Sequence, residues 1–473
     1  MKFQRVLVAN RGEIAVRILR SLRQLGLESV AIYAHDDRHS YHVKLADYAV
    51  ALPESPEAQS PYLHIPTICA AVRASGAQAV HPGYGFLSEN SDFAAALEAQ
   101  DTIFIGPSSK ALRQMGDKIE AKTLVRSQGI PTVPGDLCEL LDMNQVQAVA
   151  SNIGFPVILK ASAGGGGRGM RVVSEAKDLA AAYETCRREA QSYFGNPAVF
   201  CERFIENPRH IEVQVLRDAH GNGVHLFERD CSIQRRNQKL LEEAPSVFLS
   251  PEQRMKLGAR AVKIAAAVAY CGAGTVEFIC ESPSKAYFME MNPRIQVEHP
   301  VTEMITGIDL IEAQIRIAQG EPLPFSQADL RVQGHAVEVR INAEDPDLHF
   351  IPTSGTVGAL QLPGGPFVRT ETHLYAGYAL PTRYDSMLAK IIAWGPTRQA
   401  ALTCLLRALQ ELRIDGVVTT ARFHERLLQH PVFQSGDFTT KFLQTYAKDF
   451  EKEEWEVGEA AAAAIGVYGH SAM

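Results

Sequence analysis

Short apolar runs alternate with helical patterns through the first quarter of the chain, and this alternation limits the possible folds more than any other feature. The first run, Val6–Ala9, has the continuous apolar character of a buried parallel strand. A helical pattern over Ile14–Leu25 follows, and Gly26 ends it. The same order recurs as far as Ile103–Ile105. It predicts an α/β domain with a doubly wound sheet over residues 1–115.

Two loops of this domain follow predicted strands. Asn10–Glu13 and His81–Glu89 lie at carboxyl ends of strands, where α/β sheets place ligands. Either loop could equally be a plain turn. The first loop lacks the G-x-G-x-x-G pattern, so the NAD fingerprint is absent.

A row of polar side chains follows the apolar run Tyr287–Met289. Glu290 and Asn292 lie two apart, and Arg, Gln and Glu continue this spacing at 294, 296 and 298, which predicts one face of a strand. A surface strand with alternating polar residues is the simpler alternative. Burial of unpaired charges is costly, so a binding function explains the row better. Glu and Asn oxygens suit magnesium, Arg suits a planar oxyanion, and Glu298 could act as a base.

A predicted hairpin places a second carboxylate beside this row. The runs Ala273–Cys280 and Ala286–Met291 pair across a short turn, which brings Glu277 near Glu290. Two carboxylates on adjacent strands repel each other unless a cation lies between them. The sequence therefore predicts magnesium that bridges nucleotide phosphates.

A lysine ends the apolar strand Phe155–Lys160, and four glycines follow at 164–167. The free N–H groups of such a hairpin can close over phosphates, although a flexible linker is the alternative. It is not a Walker A loop, because the G-K-[ST] ending is missing.

Two further segments complete the predicted cleft. Val199–Ile205 could contact an adenine through its backbone and a ribose through Glu202. The polar run Glu228–Lys239 is either a solvated loop or the wall of an anion-binding cleft. Cys231 within it has no partner pattern for a nucleophile, which favours a buried thiol, and His210 alone is more often structural.

Composition excludes several classes of function. A net charge of −7 argues against general binding to nucleic acid or to anionic membranes. The eight cysteines contain no C-x-x-C pair, which indicates reduced thiols rather than zinc or disulfides. No apolar run reaches the roughly 18 residues of a membrane span. A soluble, cytoplasmic protein is the expectation.

Long motifs between Phe3 and Leu443 resemble those of the biotin carboxylases, which belong to the ATP-grasp superfamily. The motifs are Asn10–Ala15, His81–Asn90, Met115–Lys118, Lys160–Met170, Glu228–Ser232, Glu290–Pro300 and Arg340–Pro346. The resemblance implies an α/β chain, α+β in part, with the ATP-grasp fold. Its parts would be a Rossmann-like domain at 1–115, an ATP-grasp domain at 116–330 with a mobile glycine-rich lid at 132–203, a β-rich C-terminal biotin carboxylase domain at 331–447, and a tail at 448–473.

The resemblance also implies a set of site residues. ATP would be bound by Lys118, Lys160, Gly166, Gly167, Glu202, Arg203, Phe204, Ile205, His210, Gln234 and Asn237. Two magnesium ions, with manganese as the alternative, would be held by Glu277, Glu290 and Asn292. Bicarbonate would contact Lys239, Arg294, Gln296, Val297 and Glu298, and biotin would contact Arg340 and Tyr84. The catalytic group would be Arg294, Glu298, Lys239 and Arg340, with Glu298 as general base and Arg340 facing the ureido oxygen of biotin.

The implied reaction is ATP- and bicarbonate-dependent carboxylation of biotin N1′ through carboxyphosphate. The sequence contains no Ala-Met-Lys-Met motif, so biotin is expected on a separate carrier protein, with a carboxyltransferase as a further component. A homodimer is expected. The complex would be acetyl-CoA carboxylase, with a two-subunit pyruvate carboxylase or another acyl-CoA carboxylase as alternatives.

Two rival functions stay open at this point. One is an ATP-grasp ligase of the carbamoyl-phosphate synthetase type, and the other is a catalytically silent nucleotide-binding module. The residues from Arg294 to Glu298, together with Arg340, argue against the first rival. The second would require a lost metal ligand or base, and none is lost.

Two positions depart from the family pattern. Asn237 stands where most members have His, so this position can form hydrogen bonds but cannot carry charge. Pro293 replaces a common Thr and should stiffen the backbone between the metal ligands and Arg294.

Overall fold

The computed structural model describes residues 2–54, 60–136, 140, 142–162 and 169–451. The predicted glycine hairpin, with Gly166 and Gly167, lies outside the described residues, as do residues 452–473 of the predicted tail.

The N-terminal part forms the predicted doubly wound α/β sheet. Its strands are β1 Arg5–Val8, β2 Glu28–Tyr33, β3 Tyr48–Ala51, β4 Ala79–His81 and β5 Ile103–Phe104. Its helices are α1 Gly12–Gln24, α2 Tyr41–Leu45, α3 Ile65–Ser75, α4 Ser91–Glu98 and α5 Ser109–Gly116. All strands are parallel in the order β3-β2-β1-β4-β5. The loops after β1 and β4 therefore leave neighbouring strands at the same edge of the sheet.

A smaller sheet follows. The elements are α6 Lys118–Ser127, α7 Met143–Ile153, β6 Val157–Ala161, β7 Met170–Val173, α8 Leu179–Phe194 and β8 Val199–Arg203. The sheet is antiparallel in the order β7-β6-β8, and α7 and α8 contribute to a separate apolar core. Lys160, near the end of β6, lies between Met170 and Phe200 on the adjacent strands.

The rest of the chain is organised on one antiparallel sheet of eight strands. These are β9 Arg209–Arg217, β10 Gly223–Arg235, β11 Gln238–Ala244, β12 Gly272–Ser282, β13 Lys285–Asn292, β14 His335–Asn342, β18 Val368–Thr372 and β19 Met387–Gly395. Short pairs are formed by β15 Glu344–Asp345 with β16 Ile351–Pro352 and by β17 Leu360–Gln361 with β20 Arg413–Ile414. The order is β13-β12-β9-β10-β11-β14-β19-β18, so the sheet is continuous across the predicted domain boundary at 330.

Helices cover this large sheet. They are α9 Pro251–Ala267, α10 His299–Thr306, α11 Leu310–Ala318, α12 Arg398–Glu411, α13 Ala421–Gln429, α14 Pro431–Ser435 and α15 Phe442–Thr445. Ser250 begins α9 with a capping box: its hydroxyl accepts from the Gln253 N–H, and the Gln253 side chain accepts from the Ser250 N–H. None of the described helices combines the length and the apolar character that crossing a bilayer requires.

One expectation about local structure was wrong, and one of two open alternatives is excluded. The even-numbered row does not continue along a strand, because β13 ends at Asn292 and residues 293–298 form an irregular turn before α10. Pro293 has no N–H to donate to a sheet, and it directly follows the last residue of the strand. The run from 228 to 239 is not a solvated loop: it forms most of the β10–β11 hairpin, in which Glu228–Ser232 are buried.

Candidate active site

A cleft of about 1920 Å³ opens where the N-terminal sheet, the small sheet and the large sheet meet. It is lined by these predicted residues: Tyr84, Lys118, Lys160, Arg203, Phe204, Ile205, His210, Gln234, Asn237, Lys239, Glu277, Glu290, Asn292, Arg294, Gln296, Val297, Glu298 and Arg340. Residues predicted from separate motifs therefore share one cavity.

Lys239 is the centre of a buried charge cluster. Its Nζ lies 2.5 Å from Glu212 Oε2, 3.0 Å from Glu277 Oε1 and 2.6 Å from Glu298 Oε1. The carboxylates come from β9, from β12 and from the turn before α10, so three segments meet at one ammonium. Burial lowers the pKa of Lys239, but the carboxylates outweigh it and raise the pKa above its usual value. Lys239 therefore stays charged.

Glu298 lies between two cations. Its Oε1 accepts from Lys239, and its Oε2 accepts from Arg340 Nη2 at 2.9 Å. Burial raises the pKa of this carboxyl, but Lys239, Arg340 and Arg229 have the larger effect and lower the pKa to well below its usual range. Glu298 is thus a buried carboxylate that is ionised and open to the cleft on one side.

Arg340 connects this carboxylate to another. Its Nε lies 2.8 Å from Glu242 Oε1, and its Nη2 contacts Glu242 and Glu298 together. Burial raises the pKa of Glu242 to about 7, against the opposing effect of Arg340. The guanidinium is fixed from two sides while it lines the cleft.

The predicted metal ligands lie on one hairpin. Glu277 of β12 is directly opposite Glu290 of β13, as predicted, and Asn292 Nδ2 donates to Glu277 Oε1 at 2.7 Å. The repulsion between the carboxylates is offset by two ammonium groups: Lys239 Nζ lies 3.0 Å from Glu277 Oε1, and Lys118 Nζ lies 3.6 Å from Glu290 Oε2. His210 Nε2 lies 2.9 Å from Glu277 Oε2. The donors are hard oxygens, which magnesium prefers, so the residues fit this ion.

Other metal-binding side chains also cluster here. His210, Glu212 and Glu277 have ligand atoms within 4.8 Å of one another, and Glu212, Cys231 and Glu298 form a second such group among the described residues. Burial raises the pKa of the Cys231 thiol well above its usual value, which agrees with the predicted buried thiol.

Arg294 lies in the irregular turn and lines the cleft. Its Nη1 donates to Gln296 Oε1 at 2.8 Å, its Nη2 lies 3.4 Å from Asn292 Oδ1, and its Nε lies 3.1 Å from Glu89 Oε1. The side chains of the turn converge although they do not share a strand face. The carbonyl of Val297 accepts from Lys390 Nζ at 2.7 Å, which fixes the backbone of the turn.

Glu202 was predicted to contact a ribose in the cleft, but its carboxylate lies elsewhere. It is fully buried and does not line the cleft. One oxygen contacts Lys122, and the other accepts from Lys160 Nζ at 3.0 Å. Burial raises the pKa of Glu202, but Lys160 and Lys122 outweigh it and lower the pKa. Its carboxylate pairs with Lys122 and Lys160 and does not face the cavity.

Asn237 occupies a tight turn between β10 and β11. Arg236 and Asn237 have φ values of 50° and 65°, and Asn tolerates this left-handed region better than most residues. Nearby, Gln234 Nε2 lies 2.7 Å from His210 Nδ1. The Tyr84 hydroxyl donates to Glu13, which ties the loop after β4 to the start of α1.

Sequence reasoning missed several buried residues that support the site. Arg229 is fully buried and donates to Glu212, Gln214 and Thr302 at 2.5, 2.8 and 2.9 Å. Lys390 is also fully buried and lies 3.3 Å from Glu13 Oε1. The available signal was in β9, where Glu212 and Gln214 alternate with the apolar residues Ile211, Val213 and Val215, because polar residues in a buried strand require partners.

Models of known protein families match nearly the whole chain. Three family models apply: "Biotin carboxylase, N-terminal domain" over residues 2–112, "Carbamoyl-phosphate synthase L chain, ATP binding domain" over 117–326, and "Biotin carboxylase C-terminal domain" over 338–445.

Individual relatives are similar over their full length. A biotin carboxylase of Nostoc sp. is 50% identical over 95% of this chain and 100% of its own. A pyruvate carboxylase subunit of Methanothermobacter thermautotrophicus is 45% identical over 99% of both chains. The biotin carboxylase domain of 2-oxoglutarate carboxylase from Hydrogenobacter thermophilus, solved as a dimer with MgADP, ADP and bicarbonate, has a TM-score of 0.93 and 46% identity, covering 96% of this chain and 100% of that one.

Proposed function

The chain belongs to the biotin carboxylase family, and we propose that it carboxylates biotin N1′ on a separate carrier protein at the expense of ATP and bicarbonate. It is an ATP-dependent ligase that forms a carbon–nitrogen bond. The observation that carries the proposal is Glu298, which is held as a carboxylate between Lys239 and Arg340 inside the cleft.

Glu298 would remove the proton of bicarbonate. Bicarbonate is a weak nucleophile until it is deprotonated, and a carboxylate within hydrogen-bond reach can act as the base. Arg294 and Lys239 would hold the two negative oxygens, because a guanidinium and an ammonium match a planar oxyanion. Gln296 and the Val297 backbone would fix its orientation. The activated bicarbonate would then attack the terminal phosphate of ATP, which forms carboxyphosphate and releases ADP as the leaving group.

The phosphates would lie along the lysine side of the cleft. Lys118 and Lys160 offset charge on the transferred phosphoryl group, and Phe204, Ile205 and Arg203 line the cavity beside them. Glu277, Glu290 and Asn292 would hold magnesium, which supplies electrostatic stabilisation of the phosphates. His210 and Gln234 support this wall of the cleft through their mutual contact and the contact of His210 with Glu277.

Biotin would bind at the Arg340 end. Its N1′ is barely acidic, so a cation beside the ureido oxygen would stabilise the deprotonated form. Carboxyphosphate would break down to CO2 and phosphate, the phosphate would accept the N1′ proton, and N1′ would attack CO2 to form carboxybiotin. Arg340 is fixed by Glu242 and Glu298, and Tyr84 lines the same cavity. The two ends of Glu298 thus connect bicarbonate activation with the biotin site.

We place the chain in a multi-subunit biotin-dependent carboxylase. The proposed partners are a biotin carrier, a carboxyltransferase and a second copy of this chain, supported by the dimeric Hydrogenobacter relative. Acetyl-CoA is the proposed final acceptor, since several relatives at 47–50% identity are named biotin carboxylase and the pyruvate carboxylase relative is 45% identical. A cytoplasmic location remains a prediction, in keeping with the free thiols among the described residues.

A phosphate-release assay tests the proposal. The purified chain is given MgATP, bicarbonate and free biotin, and each substrate is omitted in turn. We expect rapid release only in the complete mixture and a further increase when the cognate carrier replaces free biotin. Full-rate release without biotin or without bicarbonate would contradict the proposed function.

A further inference from the structure

A buried carboxylate joins two ammonium groups at the wall of the cleft. Glu202 of β8 contacts Lys122 of α6 through one oxygen and Lys160 of β6 through the other. The side chains of Lys122 and Glu202 are 2% and 0% exposed, whereas that of Lys160 is 16% exposed. Lys122, Glu202 and Lys160 form a trio, in which Lys160 has greater access to the cavity than Lys122.

Helix α6 supplies two lysines with different tasks. Lys118 and Lys122 lie four residues apart, so they share one face of the helix. Lys118 approaches Glu290 at 3.6 Å, while Lys122 approaches Glu202 and lies 4.8 Å from the centroid of the Phe200 ring. Lys122 has no part in the proposed mechanism, although a lysine this deeply buried is costly to retain.

The charge balance of the trio explains its presence. At pH 7, where Lys122 is mostly protonated although burial lowers its pKa to about 8, the two ammonium groups and one carboxylate carry one net positive charge in a poorly hydrated place. Without Lys122, the Glu202 carboxylate would pair with the Lys160 ammonium alone and would cancel its charge. An anion in the cleft would then lose attraction, because charges interact strongly where water is scarce.

We propose that Lys122 is a positioning residue for nucleotide binding. By neutralising Glu202, it leaves the charge of Lys160 available to the phosphates. The proposal deepens the proposed function and rests on it, since it takes Lys160 as a phosphate ligand.

Direct binding measurements test this role. MgADP and adenosine are titrated into the full-length chain and its Lys122→Met variant by calorimetry, or by competition with a fluorescent nucleotide. We expect the substitution to weaken MgADP roughly tenfold and to leave adenosine binding unchanged, because adenosine carries no phosphate. The Lys122→Arg variant keeps the charge and should retain most of the affinity for MgADP.

A double variant separates charge from packing. In Lys122→Met/Glu202→Gln, Lys160 again provides one net positive charge, so MgADP affinity should recover most of what Lys122→Met loses. This variant also leaves no half-paired buried carboxylate, so it serves as the test if Lys122→Met alone does not fold, as judged by thermal unfolding. In that case its MgADP affinity should lie within about threefold of the unsubstituted chain.

Three results would overturn the inference: unchanged MgADP affinity in Lys122→Met, an equal loss for adenosine, or no recovery in the double variant. These titrations contain neither bicarbonate nor biotin. A failure of the proposed function would appear instead as absent biotin-dependent phosphate release by the unsubstituted chain, with the contrast between MgADP and adenosine still present.

Discussion

Arg340 donates to Glu298 across 2.9 Å, and this contact joins the proposed biotin end of the cleft to the proposed bicarbonate end. Arg340 lies on β14, and Glu298 lies in the turn before α10. The same carboxylate also accepts from Lys239. A base that is held by two cations stays ionised, and a substrate that approaches either cation also approaches the base.

Replacement of the base should abolish turnover while binding persists. We expect Glu298→Gln to lower biotin-dependent phosphate release by at least about a hundredfold, because the amide cannot accept a proton. MgADP affinity, measured by calorimetry, should change less than about threefold, since Glu298 is proposed to contact bicarbonate rather than the nucleotide. Glu252→Gln, on the exposed side of α9, is the matched control. Activity within about tenfold of the control would rule out the assigned role.

Loss of Arg340 should affect biotin more than ATP. Arg340→Gln removes the cation that is proposed to stabilise the ureido oxygen of biotin, so we expect biotin-dependent phosphate release to fall about a hundredfold. The slow release without biotin should remain near its original rate. The comparison uses Arg413→Gln, an exposed arginine paired with Asp415. An equal loss with and without biotin would indicate damage to the phosphate site instead.

The metal requirement should depend on Glu290. This carboxylate is 31% exposed and is approached only distantly by Lys118, so it is available to a cation. We expect Glu290→Gln to raise the magnesium concentration for half-maximal activity roughly tenfold, because one hard anionic oxygen ligand is lost. Chelation of magnesium should stop turnover in the unsubstituted chain. A superimposable magnesium titration for Glu290→Gln would show that it is not a ligand.

The buried ion pair between Arg11 and Asp37, in the N-terminal domain, should contribute strongly to the free energy of unfolding at neutral pH. Arg11 Nε and Nη2 lie 2.5 and 2.8 Å from Asp37. Burial raises the pKa of Asp37, but Arg11 outweighs it and lowers the pKa to about 2. Because the folded pKa is depressed, the carboxylate stabilises the fold above its ordinary pKa of 3.8 and loses this effect as pH falls toward about 2.

Asp37→Asn should therefore cost about 3–5 kcal/mol of unfolding free energy near neutral pH, since it leaves Arg11 buried without a carboxylate. Urea unfolding followed by circular dichroism measures the difference. It should be constant between about pH 7 and pH 5 and should shrink only below about pH 4. A difference that already disappears near pH 5 would contradict the assigned pKa.

The predictions that succeeded rested on local patterns. Alternating strands and helices gave the doubly wound sheet, and the pairing of Glu277 with Glu290 followed from one hairpin. Hydrophobic periodicity and turn residues determine local structure over a few residues, so both can be recognised in a single sequence.

One failure concerns where a strand ends, and the others involve contacts between distant segments. The two-residue spacing at 290–298 suggested one strand, but β13 ends at Asn292 and the remaining side chains converge through a turn. Glu202 was expected to face a ribose, yet Lys122 and Lys160 hold it below the surface. Lys239 could not be foreseen as the counter-ion of three carboxylates, because β9, β11 and β12 meet only in the folded sheet.

The path of the carbon atom tests the central claim most directly. Radiolabelled bicarbonate is incubated with the purified chain, MgATP and biotin, and the label on biotin is measured together with phosphate released. We expect acid-labile label to appear on biotin in step with phosphate release, to depend on ATP, and to be absent in Glu298→Gln. ATP cleavage that leaves no label on biotin, or labelling that survives the loss of Glu298, would contradict the central claim.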